Sequence, residues 1–151
     1  FTKPSQIWLM NADGSDLKQI TDGGPNPNNE EPKGVFQIGL DADPDLSPDN
    51  TKIVFSRLKT DTENVPIGVW ELIIIDVNTK EETVLDSSYA NMVPEWKSSG
   101  ILFTRQIGGT DPMKVQQVLY RFKDGEFEPL EEFPYNVFPI GAFGGSWIEL
   151  E

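Results

Sequence analysis

The sequence predicts an all-β fold, and three observations carry that expectation. Apolar residues come in short runs bounded by Asn, Asp, Gly and Pro. No segment sustains a helical period with caps. The same two hairpin patterns also return along the chain. At 151 residues and 37 % apolar composition, the chain is one domain's worth and long enough to bury a sizeable core.

The first recurring pattern is centred on proline. "DADPDLSPDNTKIVFSR" (Asp41 to Arg57) lies above "NMVPEWKSSGILFTR" (Asn91 to Arg105). Pro44 then matches Pro94, Leu46 matches Trp96, Ile53-Val54-Phe55 matches Ile101-Leu102-Phe103, and Arg57 matches Arg105. A weaker copy, "VFPIGAFGGSWIELE", puts Pro139 in the same place and Trp147-Ile148 on the apolar strand. The proline steps, from 44 to 94 to 139, fall in the period of a propeller blade.

The second pattern lies between these copies. "IWLMNADGSDLKQIT" (Ile7 to Thr21) matches "LIIIDVNTKEETVLD" (Leu72 to Asp86) at a constant offset, and "VLYRFKDGEFEPLEE" (Val118 to Glu132) is a third version. The turns "ADGS", "VNTK" and "KDGE" supply the Asp, Asn and Gly that tight hairpins require. The first run of each unit is apolar on both faces, as in a strand buried between neighbouring sheets. With the proline hairpins labelled a-b and the others c-d, the order is c-d, a-b-c-d, a-b-c-d, a-b. The prediction is three four-stranded blades in permuted register: residues 1–21 a half blade, 35–86 and 87–132 whole blades, and 133–151 a half blade.

Composition narrows the function. Twelve basic against twenty-five acidic residues give a formal charge of −13, which argues against nucleic acid and anionic lipid as partners. The longest apolar run, "LIIIDV", is far short of a membrane span, so no membrane insertion is expected. With no Cys there is no thiolate chemistry, and with no His the commonest general base and metal ligand are missing. Adjacent glutamates at Glu30-Glu31, Glu81-Glu82 and Glu131-Glu132 diverge on an extended strand and read as solvated. The expectation is a protein without cofactor, metal or catalytic residues. The chain opens at Phe1 without an initiator Met, as expected of a processed or trimmed chain.

The paired motifs resemble the TolB-like β-propeller family, whose WD-like repeats combine a Pro-x-Trp-Ser-Pro-Asp-Gly stretch with a strand ending in "MNADGS". "PDLSPDNTKIVFS" and "IWLMNADGSDLKQIT" are similar to it, "PEWKSSGILFT" less so, and "PIGAFGGSWIEL" in outline. Leu46 replaces the usual Trp and Asn50 the turn Gly. The four aspartates Asp41, Asp43, Asp45 and Asp49 suggest a calcium loop at first sight. An EF-hand counted from Asp41 would need Gly and Glu where Leu46 and Lys52 stand, so a repeat turn capped by Asp49 is the better reading.

The resemblance implies a bacterial protein in a periplasmic or extracellular setting, with a protein or small molecule as its ligand. Three blades cannot close a ring, so a homodimer that shares two blades is expected. Its interface would draw on Ile7, Trp8, Leu9, Met10, Phe138, Trp147, Ile148 and Leu150. The candidate ligand residues on the loop face are Arg57, Arg105, Asp41, Asp43, Tyr89, Asn91, Tyr135 and Asn136. An anion clamp by the two arginines stands against their pairing with neighbouring carboxylates. Blade packing is the expected role of Trp8, Trp70, Trp96 and Trp147. Two alternatives stay open: an enzyme with an acidic site at the channel mouth, for instance one acting on sugars, and a piece of a longer propeller, as in the prolyl oligopeptidase family.

Overall fold

The computed structural model describes residues 5–23, 41–59, 69–107 and 116–132. These form ten strands: β1 (Trp8–Leu9), β2 (Lys18–Gln19), β3 (Asp41–Leu46), β4 (Lys52–Lys59), β5 (Val69–Asp76), β6 (Glu82–Asp86), β7 (Ala90–Lys97), β8 (Gly100–Ile107), β9 (Gln116–Lys123) and β10 (Glu126–Glu132). No helix is present among the described residues, and the all-β expectation holds. Strands β1 and β2 form an antiparallel hairpin. Strands β3 to β6 run as one antiparallel meander and β7 to β10 as another. A single parallel pairing, Trp70 with Ala90, joins the meanders into one mixed eight-stranded sheet.

Aspartates close the turns. Asp49 accepts from Ser47 Oγ, Thr51 Oγ1 and the Thr51 N–H, the bond two residues on that its place in the turn predicts. Those hydrogen bonds hold its carboxyl down at about 2. Asp13 is lowered by Ser15, and Asp76 by the N–H groups of Thr79 and Asn78. The β9–β10 turn is tighter. Asp124 and Gly125 have φ of 51° and 88°, both left-handed, and Lys123 pairs directly with Glu126.

That tight turn corrects the repeat. Residue-for-residue matching of Val118–Glu132 with Leu72–Asp86 places Val118 on Leu72. In the ladders Phe55 pairs with Ile73 and Phe103 with Tyr120, so Tyr120 is the counterpart of Ile73 and Leu119 that of Leu72. Beyond the turn, Glu82 pairs with Ile75 and Phe127 with Phe122, which makes Phe127 the counterpart of Glu82. A slip of one residue exchanges the two faces of a strand. The other matches keep register. Bulges fall at Ala42/Asp45 and at Met92/Glu95, and Asp43 and Val93, each preceding the matched proline, share a φ of 51°. Left-handed backbone is uncommon for Asp and a true outlier for β-branched Val.

The core is layered. Ile53 and Phe55 on β4, with Ile73 and Ile75 on β5, face Ile7 and Ile20 of the N-terminal hairpin. The residues between them, Val54, Leu72 and Ile74, face Ile101, Phe103, Tyr120 and Phe122 of the second meander. Strands β4 and β5 are thus covered on both sides, which is why their sequences are continuous apolar runs. Trp96 packs in the second layer, whereas Trp8 is half exposed in the single chain.

Candidate functional site

Arg57 and Arg105 occupy matching places near the ends of β4 and β8, each buried at the junction between one layer and the next. Extended backbone puts Arg57 on the same face as Phe55, and Arg105 on the same face as Phe103. Each guanidinium lies over its phenylalanine ring, at 5.1 Å and 5.4 Å from the centroid.

The Arg57 junction is ionic. Nε donates to Asp41 Oδ1 at 2.6 Å and Nη2 to Asp41 Oδ2 at 3.1 Å. Nη1 and Nη2 donate to Glu82 Oε2 and Oε1 at 2.7 and 2.9 Å. Two bidentate forks are the strongest geometry available to this pair of side-chain types. Burial opposes the charge on Arg57, but the bonds and charges of Asp41 and Glu82 outweigh it and raise the pKa above its ordinary value. The Ser5 hydroxyl donates to the Asp41 carbonyl and ties the N-terminal segment to this point.

The Arg105 junction is partly aromatic. Nε donates to Asn91 Oδ1 at 3.0 Å and Nη2 to Asp86 Oδ2 at 2.5 Å. The rings of Tyr89, Tyr120 and Phe127 lie 4.6, 4.4 and 4.8 Å from the guanidinium carbon. Asn91 is fully buried, and its amide donates to Trp70 O and Asp86 Oδ2, both at 3.1 Å. Asp86 belongs to the first meander and Arg105 to the second, so this bridge links the two.

Of the candidate ligand residues, Arg57 and Asp41 therefore meet at one junction, and Arg105, Asn91 and Tyr89 at the other. Asp43 stands apart, exposed on the β3 bulge. Tyr135 and Asn136 lie outside the described residues. The arginines engage partners within their own chain, the second of the two roles weighed from the sequence. Among the candidate interface residues, Ile7 is buried and Leu9 partly packed in the first layer, while Trp8 and Met10 are exposed. Phe138, Trp147, Ile148 and Leu150 lie outside the described residues.

Sequence reading missed Glu82, Asp86 and Phe127. Glu82 was placed among the solvated pairs and instead completes the Arg57 fork. Its signal was weak, because partner and arginine lie on different strands 25 residues apart. Among the described residues no group of three or more Asp or Glu is arranged to hold a metal ion. Comparison with protein-family models, with curated proteins and with solved structures finds no match.

Proposed function

We propose that the chain is a non-enzymatic binding or scaffold module built as a TolB-like propeller, in which two copies share blades to close a six-bladed ring. The ring would present its loop face to a protein or a small ligand. The observation that carries this reading is the repeated stacking: the N-terminal hairpin lies on the first meander as that meander lies on the second. Successive sheets stacked in one sense through both-face-buried strands are the building principle of a propeller.

The junctions support a structural rather than catalytic role for the charged residues. Arg57 and Arg105 are engaged by carboxylates and an amide of the same chain, so their chemistry is that of keystones between layers. The reading is tested by absolute mass in solution, from light scattering behind a sizing column over a range of concentrations. A species near ~34 kDa, twice the 16.9 kDa chain, is expected. A folded monomer that persists at all concentrations sinks it.

A further inference from the structure

One contact occurs twice inside the chain, and both halves of a third are present but apart. In the first, Ile20, the residue after β2, shares one core cluster with Ile53, Phe55, Ile73 and Ile75 of the first meander. In the second, Leu85, the bulge residue of β6, joins Tyr120 and Phe122 around the core that Val54 and Leu72 form with Ile101 and Phe103 of the second meander. The matching residue of β10 is Leu130, which sits at the same bulge between Pro129 and Glu131. Among the described residues it joins neither core cluster, and it is 40 % exposed. The receiving positions complete the pattern. Ile73 and Ile75 share the hairpin's core cluster, and their counterparts are Trp8 on β1 and Met10 just after it, which are 50 % and 60 % exposed.

We infer that Leu130 of one copy docks against Trp8 and Met10 of a second copy, and that the same contact forms again with the roles exchanged. This rests on the two-chain ring proposed above and names the surfaces that make it. The surfaces continue the stack at its two ends, so each extends an interface already built twice within the chain. Three wedge-shaped units do not close a ring. Two copies related by a twofold axis pair the ends reciprocally. Burying large apolar groups that a monomer leaves in water supplies the drive.

The absence of cysteine from the chain makes the contact testable. Single variants W8C and L130C are prepared, their masses are measured by light scattering, and they are then treated with a short bismaleimide separately and as an equal mixture. The expected result is dimeric mass for each, with a covalent W8C–L130C pair dominating in the mixture and little coupling in either variant alone. Dimeric mass with coupling of W8C only to itself, or with no mixed product, overturns this docking while leaving the two-chain reading intact. Monomeric mass for these variants and the parent chain overturns both. As a second measure, L130E is expected to weaken self-association at least tenfold while keeping the parent's thermal unfolding as a monomer, since Leu130 is half in water. Unchanged association in L130E also overturns the docking.

Discussion

The Arg57 and Arg105 junctions place the same residue at the same point of two successive layers and hold it by different means. At Arg57 the negative charge sits on the β3 position, Asp41, and on β6, Glu82. At Arg105 the β7 position matching Asp41 is neutral Asn91, and the β10 position matching Glu82 is Phe127. The carboxylate has moved to Asp86 in the preceding unit, where the N-terminal hairpin has Thr21. Charge has been exchanged between neighbouring strands, and the arginine keeps at least one carboxylate in both places. What is preserved is a paired guanidinium between layers, because an unpaired buried charge is costly wherever its partner would have stood.

The comparison predicts which junction is the more fragile. Arg57→Met leaves two carboxylates facing one another, one of them, Asp41, with a fully buried side chain. A loss of roughly 3–5 kcal/mol is expected. Arg105→Met leaves one carboxylate and keeps the aromatic cage, so its loss in urea unfolding should be smaller than that of Arg57→Met. Equal losses would show that the second fork to Glu82 contributes little. The charge exchange itself is probed by Asn91→Asp, which copies Asp41 but sets a carboxylate against Asp86 and removes the donor to Trp70. Here a cost of about 1–3 kcal/mol is expected, and a neutral outcome would mean that either arrangement of charge suits either junction.

The smallest effect concerns pH. Asp49 is held at about 2 by Ser47 and Thr51, below its ordinary value of 3.8. A depressed folded pKa gives stability that is present above the unfolded value and lost as pH falls through that value toward the folded one. The acid limb of the stability curve, from about pH 5 to pH 2, should therefore be shallower in Asp49→Asn than in the parent. A limb of unchanged slope would mean that the turn bonds form equally in the unfolded chain.

Much of the architecture was legible in the sequence. The β-class, the hairpin turns, the match of Pro44 to Pro94 and the match of Arg57 to Arg105 all follow from local chemistry: turn residues, a two-residue period and apolar runs long enough to be covered twice. The third hairpin went out of register for an equally local reason. "KDGE" and "VNTK" look alike as turn sequences, but Asp124-Gly125 closes a two-residue loop and Val77 to Lys80 a longer one. The difference moves Phe127, rather than a carboxylate, to the place of Glu82.

The sequence by itself thus determined that two arginines would end equivalent strands in an acidic β protein. Only the tertiary structure decided their partners. Asp86 reaches Arg105 across the boundary between meanders, and Glu82 reaches Arg57 across an intervening strand. Such pairings are set by ladder register and layer stacking, which sum contacts over many distant residues. A chain with twenty-five carboxylates offers every arginine a choice that local pattern alone does not resolve.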